Sequence, residues 1–308
     1  MPEKKDFIKH VGVEYKRYSN GKFTTADLCF AAAQKLIEEL NWSPSEIGLV
    51  ILVTQTPDYT LPASSILLQN RLGLNKNIIA FDINLGCSGW VYGLSVAAGL
   101  MKSLKIDKGL LLTGETSVIA EYKNKTTFPL MGDAGTATAL LNSDNSKMSF
   151  DLNTNGAGYD AIIAHNSGAR FFSASNAGNI YNHYVSLDSQ RVLEFCLFEV
   201  VPSVKSLMDS NAIALTDIDY FIFHQANKII NENLRKKLGV PSEKFPYSLR
   251  EFSNTSSASI PLTIVTQLAN EIKSKKLTML CSGFGVGLSW GSVILKTEKV
   301  VCPELIEL

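Results

Sequence analysis

Short, almost unbroken apolar runs, separated by helical stretches, constrain this chain more than any other feature. GLVILV (residues 48–53), IIAFDI (78–83), GLLLT (109–113) and TATALL (136–141) carry apolar side chains with little alternation. Strands of that kind must be covered on both faces, so they predict a mostly parallel sheet sandwiched by helices. One such helix is legible over residues 25–40, where Leu28, Ala32, Leu36 and Leu40 recur every four residues. Thr24 or Thr25 can cap it and Asp27 sits in its first turn. The fold class is therefore α/β. The polar stretch 142–149 and the Gly- and Asn-rich stretch 153–159 predict a division into an N-terminal half, residues 1–160, and a C-terminal half, residues 161–308. The second half reads as a helix at 189–208, the strand YFIF, a helix at 227–238, another after Pro261, and closing strands near LTMLCS and SVILK. SPSEIGLVILVT and ALTDIDYFIFHQ both set a polar turn and an acid before a buried strand. Such turns are too common in α/β chains to establish a duplication alone.

Composition narrows the function classes. With 308 residues, 45% of them hydrophobic and 19% charged, the chain can bury a large core. Lys plus Arg equals Asp plus Glu at 29 each, so no global field draws it to nucleic acid or to an anionic membrane. No run of about 18 apolar residues is present to span a bilayer, and MPEKKDF offers no apolar signal core. Cys29, Cys87, Cys196, Cys281 and Cys302 are widely spaced and form no CxxC pair. That pattern argues against a disulfide framework and a structural zinc site, and a reducing cytoplasm is expected.

Chemistry concentrates in three distant segments. Cys87 follows the strand FDINLG and opens the apolar stretch 90–104. A cysteine is ordinarily a small core hydrophobe. At a helix start, however, free N–H groups and the helix dipole are expected to favour thiolate over thiol and to offer donors to an oxyanion. His224 ends YFIF and leads into a helix; His10, His165 and His183 lie in polar or irregular surroundings, which leaves His224 as the base or donor. Asn254 sits in SNTSSAS, where helix capping is the plain alternative. The cluster SGFGVGLSWGS lacks the Lys-Ser/Thr of a phosphate loop, so its glycines are expected to let backbone approach a reacting centre.

The ordered set DINLGCSGW, MGDAGTATALL, FHQAN, FSNTSSASIPL and GFGVGLSWGS resembles ketoacyl-acyl carrier protein synthase III of the thiolase superfamily, from about Phe7 to Lys296. The resemblance implies a duplicated α/β/α/β/α thiolase fold and a homodimer. It also implies Claisen condensation of an acyl thioester, on coenzyme A or a carrier protein, with malonyl-acyl carrier protein, with no metal or cofactor. Carried over by position, Cys87 would take the acyl group and the amides of Cys87 and Val286 would hold the oxyanion. His224 and Asn254 would stabilise the enolate left when malonyl thioester loses carbon dioxide. Arg235, Lys236 and Lys237 fall where the family docks its acidic carrier protein, although a solvated helix face accounts for them equally. Leu61 in TLPASS matches a position that reaches across the dimer to the partner's acyl pocket.

The chain also departs from the family. It lacks the first strand and the helix after it; with that strand taken as central in its half-sheet, a large gap in hydrogen bonding and packing is expected unless another segment substitutes. Asp6 and His10 stand where users of coenzyme A carry an aromatic and an arginine, which weakens the case for that donor. Ile229 replaces the basic residue after HQAN, and Ser253 replaces the glycine before Asn254. A specialised synthase of secondary or surface-glycan metabolism fits as well as a fatty-acid initiator. Three other readings stay open: a thiolase-fold acyltransferase making esters or amides without decarboxylation, a papain-like cysteine hydrolase, and a non-catalytic thiolase-fold binding partner. The hydrolase also uses Cys, His and Asn in this order, but without a QAN helix start or a GFGVG turn.

Overall fold

A computed structural model describes residues 2–120, 124–125, 127–143, 147–165, 167–171 and 184–308; His183 lies outside them. In the first half, β1 (Ile47–Val53), β2 (Ile79–Ile83), β3 (Lys108–Glu115) and β4 (Ala134–Leu141) form one sheet in the order β2-β1-β3-β4. β1 is parallel to β2 and β3, and β4 is antiparallel to β3. The helices of this half are α1 (Pro2–Val11), α2 (Thr25–Leu40), α3 (Ser64–Arg71), α4 (Gly89–Leu104) and the single turn α5 (Thr127–Leu130). Thr24 and Asp27 close a reciprocal capping box on α2, the start signal read from the sequence.

A second sheet begins with β5 (Met148–Thr154), while β6 (Ile162–Ile163) and β7 (Ser186–Leu187) pair as a separate ribbon. With β8 (Tyr220–Phe223), β9 (Leu277–Gly285) and β10 (Ser289–Thr297), the second sheet runs β5-β10-β9-β8. Only the β8–β9 pair is parallel here, so the mostly parallel expectation holds for the first sheet and not the second. Because β5 belongs to the second sheet, the sheets divide between Leu141 and Met148 rather than near residue 160. The helices of this half are α6 (Gly168–Phe171), α7 (Ser189–Phe195), α8 (Val201–Ser210), α9 (Lys228–Leu238), α10 (Leu249–Phe252), α11 (Ser259–Gln267) and α12 (Ala269–Ser274). One π-helical turn, Cys196–Val200, joins α7 to α8.

Strand alternation sorts the core into layers. Val50 and Leu52 of β1 and Leu110 and Leu112 of β3 join Ala26, Ala33 and Ile37 of α2 and Leu68 of α3 in an outer cluster. Leu49, Ile51 and Val53 face inward with Leu111, where α4 and Ile260 of α11 meet Met279 and Cys281 of β9 and Val293 of β10. Phe221 and Phe223 of β8 pack outward against Val204 of α8 and Ile230 and Leu234 of α9. The result is five layers, α/β/α/β/α, with α4 and α11 in the shared middle. The suspected echo between halves is structural: Glu46 accepts from Ser43 N at 2.9 Å and Asp217 from Ala214 N at 2.9 Å, each in a 3₁₀ turn that feeds the matching strand, β1 or β8.

The expected gap at the centre of the first sheet is not there. β1 pairs directly with β3, Val50 opposite Leu110 and Ile51 opposite Leu111. In the second sheet the earliest strand, β5, is an edge strand on β10. Its counterpart position in the first sheet is the open side of β4, and a cavity of about 420 Å³ lies there. Leu28, Ala32 and Leu36 of α2 line one wall, and Pro261, Leu262 and Val265 of α11 line the other. Pro303–Leu308 border the same slot.

Candidate active site

The inner helices bring the three distant segments together at their N-terminal ends. Cys87 lies between β2 and α4, with its residue part-exposed. Behind it runs the end of β9. A Cβ on Gly285 would sit 2.8 Å from Cys87 Cβ and 3.0 Å from Sγ, and one on Gly283 would sit 2.7 Å from the Cys87 carbonyl oxygen. Only glycine lets this strand approach so closely, which is the role read for the GFGVG cluster. The backbone amides of Cys87 and Val286 act on the sulfur in the direction that favours its charged form.

Burial pushes the Cys87 thiol up to about 11. A hydrogen bond to Ser256 and the two amides pull it down, while the charge of Glu115 adds to the rise. The expectation that the helix start would favour thiolate over thiol is thus corrected: desolvation outweighs the helix-end donors in the unliganded site.

His224 follows β8 and is 1% exposed. Its Nδ1 lies 2.8 Å from Ser259 Oγ, and its ring meets Phe284 edge-on, centroids 5.5 Å apart. Burial holds the imidazole down to about 3, against a hydrogen bond to the backbone of Ser256, so the ring is neutral at physiological pH. The rest of the HQAN segment fixes its geometry. Asn231 Nδ2 donates to His224 O at 2.9 Å, Gln225 Oε1 accepts from Ser248 N and Leu249 N, and Asn227 caps α9.

Asn254 is 7% exposed and does not cap α11, which starts at Ser259. Its backbone is clamped, N to Leu130 O at 2.8 Å and O from Gly132 N at 2.9 Å. Its Oδ1 accepts from Ser256 N at 2.8 Å, and Nδ2 has a long 3.4 Å contact with Ala226 O, which leaves the amide hydrogens largely available. Ser253, before it, sits at φ 62° and donates Oγ to Tyr15 O at 3.0 Å.

Ser256 links all three. Its Oγ is 3.9 Å from Cys87 Sγ, its N bonds Asn254, and its backbone bonds the His224 ring. Sequence reading passes over it, as it does Ser259 and Phe284; the run of small polar residues in SNTSSAS is the available signal.

The remaining expectations divide. Arg235 is tied to Glu232 at 2.8 Å and to Val240 O at 2.8 Å, and Tyr247 OH bonds the same Glu232 at 2.7 Å, so Arg235 is committed within the fold. Lys236 and Lys237 are exposed, with Lys237 Nζ 4.8 Å from the centre of the Phe198 ring. Leu61 is 81% exposed, on the loop leading to α3. Asp82 of β2 accepts from Ser64 N and Ser65 N, which ties that loop to the open edge of the first sheet. His10 Nδ1 lies 2.9 Å from Asp6 O within α1, so both stay on their own helix. The five-layer fold also leaves no place for the papain-like hydrolase.

Comparison with known proteins agrees with this architecture. Residues 81–156 match the family described as 3-oxoacyl-[acyl-carrier-protein (ACP)] synthase III, and residues 208–297 match its C-terminal region. The beta-ketoacyl-[acyl-carrier-protein] synthase III of Streptococcus agalactiae is 32% identical over 302 residues, covering 96% of this chain and 92% of that protein. The crystal structure of 3-oxoacyl-(acyl-carrier protein) synthase from Burkholderia xenovorans superposes with a TM-score of 0.91 at 35% identity, covering 96% of this chain and 86% of that one. The synthase III of Pseudomonas aeruginosa gives 0.86 at 28% identity, with 97% and 90% covered. The chain therefore belongs to the 3-oxoacyl-[acyl-carrier-protein] synthase III family.

Proposed function

We propose that this acyltransferase condenses an acyl thioester with malonyl-acyl carrier protein in fatty-acid biosynthesis or a related lipid route. The carrying observation is that Ser256 meets a sulfur, a neutral imidazole and an asparagine amide, while two backbone amides act on the same sulfur. In the first half-reaction the Cys87 sulfur attacks the thioester carbonyl and expels the donor thiol, with the thiol proton leaving on it. The amides of Cys87 and Val286 hold the tetrahedral oxyanion. In the second, the malonyl carboxylate leaves as carbon dioxide. The electron pair it leaves behind becomes an enolate, whose oxygen takes hydrogen bonds from the neutral His224 ring, protonated at Nε2, and from Asn254 Nδ2. The enolate carbon attacks the acyl-Cys87 carbonyl, the carbon–sulfur bond breaks, a 3-oxoacyl carrier protein leaves, and the released Cys87 thiolate takes a proton from solvent to return to the thiol. A neutral imidazole suits this role because it donates without bringing a competing charge to the departing carboxylate.

Lys236 and Lys237, on the helix that leads away from His224, supply the exposed basic docking face for an acidic carrier protein. Leu61 and the half-exposed edge strand β2 support a homodimer in which Leu61 enters the partner's acyl pocket. No helix among the described residues is long and apolar enough to cross a membrane. Five free cysteines suit a cytoplasmic location.

Intact-mass measurement tests the reading. Wild type and Cys87→Ala are mixed with acyl-coenzyme A and acyl-carrier thioesters, then with malonyl carrier protein. An acyl adduct on wild type alone, discharged by malonyl carrier with carbon dioxide release, is expected. Absence of an adduct with every thioester refutes the synthase. Discharge by alcohols or amines but not by malonyl carrier moves the assignment to the ester- or amide-forming acyltransferase.

A further inference from the structure

Ser256 holds a conformation that glycine would hold at lower cost. Its φ is 49°, in the left-handed region, which L side chains adopt only at a cost. A side chain retained there against that cost is expected to be used. The residue is 3% exposed, and among the described residues its hydroxyl finds one partner, the Cys87 sulfur at 3.9 Å. Buried hydroxyls without a partner are rare, so the two groups share a hydrogen bond that either can donate while the sulfur is a thiol and only Ser256 can donate once it is a thiolate. Ser256 Oγ also lies against the chain just before the nucleophile, 3.2 Å from where a Gly86 Cβ would stand. The contact is long for a neutral thiol. It strengthens when the sulfur becomes a charged acceptor, because hydrogen bonds to ionised partners are shorter and stronger.

We propose that the Ser256 hydroxyl donates a hydrogen bond to the Cys87 thiolate, making Ser256 a catalytic residue of the acyl-transfer half-reaction. The inference rests on Cys87 being the acylated nucleophile. The donor set at the sulfur is then three: the amides of Cys87 and Val286 from the loop ends, and Ser256 Oγ from the polar loop before α11. Opposing them is the Glu115 carboxylate at the end of β3; the Cys196 thiol in the π-helical turn and the His224 ring are both held neutral by burial. Ser256 therefore acts twice. Its backbone holds His224 and Asn254 for the second half-reaction, and its side chain serves the first.

The test is the pH dependence of Cys87 alkylation by iodoacetamide in the full chain, comparing wild type, Ser256→Ala and Ser256→Gly, with Cys87→Ala as blank and the modified cysteine located by peptide mass. Both variants are expected to alkylate about ten- to a hundredfold more slowly at neutral pH, with the midpoint moved up by about one to two units. Ser256→Gly keeps the backbone contacts and removes the left-handed cost, so it separates hydroxyl from conformation. A wild-type profile in Ser256→Gly overturns the proposal, whatever Ser256→Ala does. Acylation by the productive thioester should slow in parallel. Wild type that alkylates at Cys87 yet accepts no acyl group would overturn the synthase reading and leave the Ser256 contact standing.

Discussion

The two sheets treat their edges differently and their centres alike. On β10 lies a full strand, β5, paired from Ser289–Thr154 to Leu295–Met148. On the open side of β4 no strand lies among the described residues, only a slot bordered by Pro303–Leu308. Yet the two strand ends that carry the proposed site, β2 before Cys87 and β8 before His224, both sit on the opposite side of their sheets, away from that difference. The chemistry hangs from the inner layer of α4 and α11, which both sheets support. Only the backbone of Asn254, held by Leu130 O and Gly132 N just before β4, reaches toward that edge, so remodelling it leaves Cys87 and His224 in place.

The sharpest way to break this symmetry is to remove reactive groups from one half at a time. Cys87→Ala, in the first half, should abolish acyl-enzyme formation and drop condensation by at least about 10³-fold. His224→Ala, in the second, should lower decarboxylative condensation by about 10²–10⁴-fold while leaving the acyl adduct intact. Asn254→Ala should follow the same pattern at about 10²–10³-fold. Stopped-flow carbon dioxide release alongside intact mass separates the two steps. Loss of acylation in His224→Ala would show that the second half is also needed for the first step, and the division of labour would fall.

Acid and alkali sharpen the same contrast through stability. Burial pushes Glu115, at the end of β3, up to about 7 from an ordinary 4.5, despite hydrogen bonds from Gln55 N at 2.9 Å and Thr56 Oγ1 at 2.8 Å. The folded chain binds that proton more tightly than the unfolded one. Its contribution is complete below pH 4.5 and is lost as pH rises through 7. His224 behaves oppositely: held down to about 3 from 6.5, it contributes fully above pH 6.5 and loses that stability as pH falls toward 3. Each slope is at most about 1.4 kcal/mol per pH unit. Denaturant unfolding of Glu115→Gln between pH 4.5 and 7 should lack the alkaline loss, and His224→Gln between pH 6.5 and 3 should lack the acid loss. The slope is the readout, because Glu115→Gln also exchanges one carboxylate oxygen for an NH2 beside the Gln55 N–H and the Thr54 and Thr56 hydroxyls, an effect that does not vary with pH. Unchanged slopes in both variants would refute the assignments.

How much of this was legible depends on whether local pattern or long-range pairing decided it. The helices at 25–40 and 189–208 could be read because caps and periodicity are local, and the strand cores because Leu49–Val53 and Leu110–Leu112 are apolar without interruption. Cys87, His224 and Asn254 stood out because each sits where a strand ends or a polar loop begins. Strand order was not legible: whether an early strand is central or at an edge depends on pairing partners over 140 residues away, such as Phe150 with Val293. Ser256 was hidden among chemically similar neighbours, and only its left-handed backbone and 3.9 Å approach to Cys87 set it apart. The direction of the Cys87 shift was missed because helix-end donors can be counted in a sequence and desolvation cannot.

The smallest effects belong to the edge itself. Arg17 donates Nε at 2.9 Å and Nη2 at 2.6 Å to Glu307 Oε1, and its Nη1 reaches Glu251 O at 2.8 Å. The slot-bordering segment is thereby tied to the turn that precedes Asn254. The Arg17–Glu307 pair is solvent-exposed on both sides, so Glu307→Ala should cost less than about 1 kcal/mol and weaken further in salt. Deleting residues 303–308 also uncovers the apolar walls of the slot, so about 1–2 kcal/mol and faster amide exchange along β4 are expected, with β10 unaffected. Acylation of Cys87 should persist in both variants, because the sulfur's donors come from the inner layer. If the deletion instead abolished acylation while the chain stayed folded, the edge would be coupled to the nucleophile. The contrast between variable edges and fixed centres would then be wrong.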